Sequence, residues 1–372
     1  MKRKSIVICV IVAIIAALII WKGVQNDNSS DLRVACNLTI TGDFGLYGES
    51  VQKGILMALQ DKTESGINVV FDFQDNHSNS KDAVTVFKKQ ELEGYDIYMS
   101  GITQQTAAIL PSQSKSGKPH FIWSYAPLVL TENDNLFRTW VDYPQEANYF
   151  LEYLSHHPEF KKVACVYPNA ESAQALFNEL FIPRLPIGTE IVYNESFDVA
   201  TSNFKDIILK IKTKSPDIIF VNGWDNHLPG LIKEAVLNGL KKDGNLVFTF
   251  DLMDAVPKIS ADLLEGLVAN IPDFEVSPSQ KYIEWKKRFQ NLYGTTPNYT
   301  NAYAYDLANI IVSAASKQKE YPEQSLSDIL LSTDMDGITG HLHFSQEGML
   351  VGTYITSVYN NSKFVPIQYV NQ

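Results

Sequence analysis

The stretch "TGDFGLYGES", Thr41–Ser50, stands between an apolar run, "LRVACNLTI" at 32–40, and a second one, "VQKGILMAL" at 51–59. Its glycines fall at every third position: Gly42, Gly45 and Gly48. A glycine-rich turn between a strand and a helix brings backbone N–H groups up against an anion. The spacing G-x-x-G-x-x-G fits neither the G-x-G-x-x-G of dinucleotide folds nor the G-x-x-x-x-G-K-[ST] of phosphate loops. Three readings stand: a nucleotide phosphate, the carboxylate of a small metabolite, or no anion.

Outward from this turn, strand-like and helix-like segments alternate. "INVVFDFQD" reads as strand, "SKDAVTVFKKQELEG" as a helix capped by Ser80, "YDIYMSG" as strand, "TAAILPSQSKSG" as helix and "PHFIWS" as strand. The pattern restarts with the helix "YPQEANYFLEYLSHH", then "KKVACVYP", "EIVYNESF", "PDIIFVNG" and "NLVFTFD" as strands with helical stretches between them. Alternation at this pitch predicts βαβ units around parallel sheets. Two arrays in succession predict two α/β lobes. The end, "GHLHFSQEGMLVGTYITSVYNNSKFVPIQYV", is strand-rich. Proline or glycine interrupts the pattern near Asp142–Pro144, Ile271–Pro272 and Gly337–His341, which are candidate crossings between the lobes. The expected division is residues 31–142 plus 272–337 for lobe 1, and 143–271 plus 338–370 for lobe 2.

The chain has 372 residues, enough for two cores, and a formal net charge of −11. Nucleic-acid binders need clustered Lys and Arg, so that class is excluded. Residues 1–23 differ from the rest: "MKRK", then an uncharged apolar run from Ser5 to Trp21, closed by Lys22. This reads as a secretory signal peptide or an N-terminal membrane anchor. No A-x-A-like site follows it, which favours an uncleaved anchor with the remainder outside the inner membrane. Three cysteines give no disulfide framework. Cys36 and Cys165 lie mid-strand and read as small buried hydrophobes.

These segments together resemble the type I periplasmic binding proteins, in particular their leucine/isoleucine/valine-binding branch. "TGDFGLYGESVQKGILMAL" is similar to that family's opening strand–turn–helix, and "FDFQDNHSNSKDAVTVFKK" to its acidic second strand and following helix. "SPDIIFVNGW", "NAYAYDLANIIVSAA" and "DGITGHLHFSQEGMLVGTYITSVYNNSKFVPI" resemble its later segments in the same order. The resemblance runs from Arg33 to Pro366. It implies two Rossmann-like lobes joined by three hinge strands, with a small amino acid-like ligand in the cleft and an ABC permease or other membrane partner. It implies no cofactor, no metal and no enzymatic activity.

The resemblance also implies a site. In the family, lobe 1 holds the ligand carboxylate and an acidic residue of lobe 2 meets its ammonium. Here Tyr47 aligns with a flanking aromatic; the alternative is a residue packed on the lobe surface. Gln104 and Gln105 replace a carboxylate-binding serine pair, and Ser124, Tyr125 and Ala126 occupy the second carboxylate loop. Trp123 reads as core. Ser172 stands where the family often has tyrosine, and Trp224 aligns with another ligand-flanking ring. Asp251 aligns with the ammonium partner, the alternative being a carboxylate that caps the next turn; Asp225 is a nearby substitute. On this reading the opening loop faces a ligand carboxylate or another small polar group.

No G-x-S-x-G elbow occurs, and His156–His157 and "HLH" at 341–343 lack metal-ligand spacing. The leading expectation is a solute-binding protein for an ABC transporter. The alternative is a membrane-anchored sensor that signals without transport.

Overall fold

The computed structural model describes residues 32–61, 68–125, 130–131, 134–140, 143–352 and 354–369. The expected signal or anchor at 1–23 and the candidate ligand residue Ala126 lie outside the described residues. Among the described residues no helix is long and apolar enough to cross a membrane.

β1 (Leu32–Leu38) is buried at every position but Arg33. A strand covered on both faces must be apolar throughout, which is why "LRVACNL" lacks period-two alternation. β2 (Val69–Asp75), β3 (Ile97–Gly101), β4 (His120–Trp123) and β5 (Leu136–Arg138) complete the first sheet. Its order is β2-β1-β3-β4-β5 and every pairing is parallel. β5 falls outside the predicted strands, since three residues are too few to show a pattern.

β6 (Lys162–Pro168), β7 (Glu190–Phe197), β8 (Ile218–Val221), β9 (Leu246–Phe248) and β10 (Val268–Pro272) form the parallel part of a second sheet. β11 (Asp334–Asp336) and β12 (His341–His343) form a separate antiparallel hairpin. β13 (Tyr354–Asn360) then adds antiparallel to β10, and β14 (Lys363–Pro366) to β13, giving the order β14-β13-β10-β9-β8-β6-β7. The expected α/β architecture with parallel-sheet cores is therefore present, with an antiparallel margin on the second sheet.

The third crossing differs from expectation. Residues 337–341 turn the β11–β12 hairpin, where the Gly337 N–H donates to Gly340 at 2.8 Å. Beyond it the chain still pairs with the first sheet: Arg138 N–H donates to the Gly348 carbonyl at 2.9 Å, and Leu350 N–H to the Arg138 carbonyl at 2.8 Å. The chain enters the second sheet at Tyr354. Glycine marks tight turns as readily as crossings, so pattern alone misplaces this one.

Helix Gly45–Asp61 packs along helix Tyr299–Glu320 with little space between them. A Cβ on Gly54 would lie 2.3 Å from the Asn301 carbonyl oxygen, and one on Gly48 2.1 Å from that of Thr39. One of the three evenly spaced glycines therefore has another reading: Gly48, like Gly54 further along the helix, serves close backbone approach. The Asn301 side chain donates to the Ser50 carbonyl at 2.8 Å and helps lock the pair. Helix Ser80–Glu93 is capped by Asn79, whose Oδ1 accepts from Lys81 N–H at 2.8 Å and Asp82 N–H at 3.2 Å. That corrects the expected Ser80 cap by one residue: asparagine holds the extended backbone before the first turn. Cys36 and Cys165 are buried and unpaired, and burial pushes both thiols well up, in line with packing roles.

Candidate functional site

The glycine loop already has an anion, and it is part of the chain. Asp75, at the end of β2, accepts from Ile40 N–H at 3.0 Å, Thr41 N–H at 3.2 Å, the Thr41 hydroxyl at 2.5 Å and His77 N–H at 2.8 Å. The Ser78 hydroxyl accepts from Phe44 N–H at 3.2 Å and donates to the Thr41 carbonyl at 2.9 Å. Burial alone would raise the Asp75 pKa, but these donors outweigh it and hold the carboxyl below its usual value. The expectation was a loop facing a ligand carboxylate or another small polar group; the Ile40, Thr41 and Phe44 amides already serve Asp75 and Ser78. What the loop presents to the cleft is rings: Phe44 meets Trp224 edge-on at 6.3 Å, and Tyr47 meets Trp140 at 6.3 Å.

In open parallel sheets ligands bind at the carboxyl ends of strands where the strand order reverses. In the first sheet that point lies between β1 and β3, and in the second between β6 and β8. Tyr47 follows β1, Gln104 and Gln105 follow β3, and Ser172 and Trp224 follow β6 and β8. The topology therefore gathers most of the sequence-derived candidates at the two reversal points.

Their surroundings differ. Tyr47 is half-buried and its hydroxyl donates to Asp254 Oδ2 at 3.1 Å. Gln105 is buried while Gln104 is exposed. Both begin helix Thr103–Gln113, which follows Ile102 at φ 66°. A β-branched residue in that region is strained, and such strain concentrates at binding loops. Ser124 is buried, and the Tyr125 N–H donates to Thr103 Oγ1 at 3.3 Å. The Tyr125 ring stacks on Tyr143 at 3.7 Å. Ser172 is half-buried in the short helix Glu171–Ala175. Trp224 is half-buried between Phe44 and His227.

Asp251 is buried, with Oδ2 accepting from Thr249 Oγ1 at 2.7 Å and Asn222 Nδ2 at 3.0 Å. Its side chain makes no capping bond to the next turn, so that alternative falls. Burial raises its carboxyl to about 7, helped by the Asp254 charge and opposed by the Thr249 and Asn222 bonds.

Sequence reasoning missed the residues that bind this cluster together. Asp254, three positions after Asp251, accepts from Tyr47 and, at 2.8 Å, from the Tyr299 hydroxyl. Burial raises it to about 6 against those two bonds. Trp140 sets edge-to-face contacts with Trp123 at 5.5 Å, Tyr299 at 5.6 Å and Phe250 at 6.0 Å, besides Tyr47. Phe250 comes from the second sheet's side yet packs into the first lobe's core cluster. Asn222 ends β8 and reaches the Tyr143 hydroxyl at 3.5 Å. An "NYT" at a helix start and a Trp two residues past β5 carry no local signal of a site; only the tertiary fold does. Asp225 is held by Lys258. Among the described residues there is no cluster of His, Cys, Asp and Glu that could hold a metal.

Two α/β lobes meeting over a cleft of aromatic and acidic side chains define a two-lobed binding protein. The periplasmic binding protein family profile matches residues 31–356, and the chain belongs to that family. It is 21% identical over 342 residues to the Leu/Ile/Val-binding protein homolog 1 of Brucella melitensis, covering 86% of this chain and 87% of that one. The branched-chain amino acid transporter substrate binding protein LivJ of Streptococcus pneumoniae, solved with isoleucine, superposes with a TM-score of 0.75 at 22% identity, covering 90% of this chain and 98% of that one. A solute binding protein of an R. palustris ABC transporter, solved with benzoate, gives 0.76 at 16% identity, covering 91% and 96%.

Proposed function

We propose that the chain is an extracytoplasmic solute-binding protein that closes two lobes over a small amino acid-like metabolite and delivers it to an ABC permease. The observation that carries the reading is the junction of Tyr47 and Tyr299 with Asp254, which ties two helix starts of the first lobe to the short helix after β9 of the second. Family membership and the ligands of its structural relatives support it. Tyr47, Gln105, Ser124, Tyr125, Trp224 and Asp251 line the site on this reading, with Trp140, Asp254 and Tyr299 added. The lobes divide between the two sheets, and the third hinge segment lies between Leu350 and Tyr354. Hinge closure over the ligand forms the surface that the membrane partner reads.

A thermal-shift screen of the full chain in mild detergent tests this against amino acids, amines, polyamines, amides, carboxylates and purines. Saturation at about 100 times the dissociation constant stabilises a fold by about 2.7 kcal/mol, so a true ligand is visible. Uptake of the hit by cells carrying the permease follows. A hit without uptake favours the membrane-anchored sensor, and a screen with no hit from a cooperatively folded protein sinks the solute-binding reading.

A further inference from the structure

His227 makes a hydrogen bond at each ring nitrogen, and both go to backbone. Its Nδ1 accepts from the Trp224 N–H at 3.3 Å, and its Nε2 lies 2.9 Å from the Val199 carbonyl oxygen. Backbone partners cannot exchange roles, since an N–H only donates and a carbonyl only accepts. The ring is therefore the neutral tautomer with its proton on Nε2. It is fully buried, and burial holds its pKa below the usual value against the Val199 bond and the charge of Asp225, which Lys258 pairs. A second proton would have to sit on Nδ1, facing the Trp224 N–H.

The two partners belong to loops that the sheet keeps apart. Val199 follows β7, the edge strand, and Trp224 follows β8, with β6 between them. His227 spans that gap, its ring edge-on to Phe197 at 5.0 Å and Phe204 at 6.2 Å. The Trp224 carbonyl accepts from the N–H groups of His227 at 2.9 Å and Leu228 at 3.0 Å, so the two rings sit on one turn before helix Leu228–Leu237. Indole and imidazole lie 5.2 Å apart with 32° between their planes. Among the described residues the Trp224 ring has two ring neighbours, Phe44 from the first lobe and His227 from its own. Opening the cleft takes Phe44 away and leaves His227.

We propose, resting on the solute-binding reading above, that His227 is the positioning residue of the Trp224 wall. Its neutral ring fixes the turn that carries the indole and ties that turn to the Val199 loop, so the wall stands ready while the cleft is open. A side chain already held in place loses little freedom when a ligand arrives. Fully buried itself, His227 acts through Trp224.

Two substitutions divide the ring's bonds. An asparagine Oδ1 stands near the place of Nδ1 and a glutamine Nε2 near that of the imidazole Nε2, so His227→Asn keeps the Trp224 bond and His227→Gln keeps the Val199 bond. Each is made in the full chain in mild detergent, in a Phe44→Ala background that removes the first lobe's ring as opening would. Acrylamide quenching of Trp224, taken as the difference from the matching Trp224→Phe chain, reads the indole with no ligand added. His227→Gln should raise the quenching constant at least twofold, while His227→Asn should hold it near that of the histidine parent. Equal quenching in all three chains overturns the proposal, because the acceptor then does not set the ring. Any other order overturns it as well, an equal rise in both variants included, because lost packing then explains the effect. Should either variant lose its cooperative unfolding, imidazole nitrogen NMR of the unsubstituted chain decides. A bare Nδ1 and a protonated Nε2 at neutral pH support the proposal, and a charged ring or the other tautomer overturns it. No arm uses a ligand, so the solute-binding reading fails separately, in the broad screen.

Discussion

The Tyr47 and Tyr299 hydroxyls converge on one oxygen of Asp254, at 3.1 Å and 2.8 Å. Tyr47 starts helix Gly45–Asp61 and Tyr299 starts helix Tyr299–Glu320, both in the first lobe, while Asp254 lies in the short helix Leu252–Ala255 after β9. The oxygen is thus a fastening point between lobes. A bond to a charged acceptor contributes about 1.5–3 kcal/mol, and partial exposure of Tyr47 puts its share at the low end. Tyr47→Phe should therefore weaken ligand binding by roughly tenfold, and small-angle scattering should show a larger unliganded radius of gyration. An unchanged affinity and radius would mean that the Tyr47 hydroxyl does not hold the lobes together.

Acid should stabilise the unliganded protein. Asp251 and Asp254 have folded pKa values raised to about 7 and about 6, above the roughly 3.9 of an exposed aspartate. The folded state binds more protons than the unfolded chain in this window. Their contribution is therefore fully present below about pH 4 and lost as pH rises through 6 and 7. The melting temperature of the unliganded chain should fall between pH 5 and pH 7.5, and Asp251→Asn should flatten that slope. Asp75 works in the opposite sense, since its pKa is lowered: its contribution is lost in acid as pH falls through the folded value.

Asp75→Ala should loosen the glycine loop without touching the ring cluster directly. It strands three backbone N–H groups and one hydroxyl. At about 1 kcal/mol for each partly hydrated donor, roughly 2–4 kcal/mol of stability should be lost in urea titration. A loss below about 0.5 kcal/mol would show that water replaces the carboxylate at no cost.

Gly54→Ala should act through packing alone. The new methyl would lie 2.3 Å from the Asn301 carbonyl oxygen, so the two helices must part. Overpacking of this kind costs about 1–3 kcal/mol, and at about 2–4 °C per kcal/mol for a unit of roughly 150–250 residues, the size of one lobe, calorimetry should read a drop of several degrees in the first lobe's transition. An unaltered melting temperature would mean that the helix pair gives way freely.

The fold was legible because β1, β3, β6 and β8 are nearly wholly apolar strands separated by helical stripes, and that pattern is local. Tyr47, Tyr125, Trp224 and Asp251 were candidates by resemblance, and the structure sets Tyr47 and Asp251 beside Asp254 and Trp224 against Phe44. Asp254 and Tyr299 were not, because the relation that matters spans 45 positions and leaves no periodic trace. The anion at the glycine loop was missed for the opposite reason: the loop's local signal is strong, but Asp75, which takes its Ile40 and Thr41 amides, lies 34 residues on.

Trp140 gives the protein an optical gauge of its own. Of the chain's 5 tryptophans, Trp123 and Trp140 lie 5.5 Å apart and Trp224 touches Phe44 from the other side. Trp285 is sealed in the first lobe's core and supplies a constant background. Parting the lobes would pull Phe250 from Trp140 and Phe44 from Trp224, admitting water to those two indoles while leaving Trp123 and Trp285 dry. Emission wavelength should therefore track opening and closing in real time, with no dye attached, even before the natural ligand is in hand.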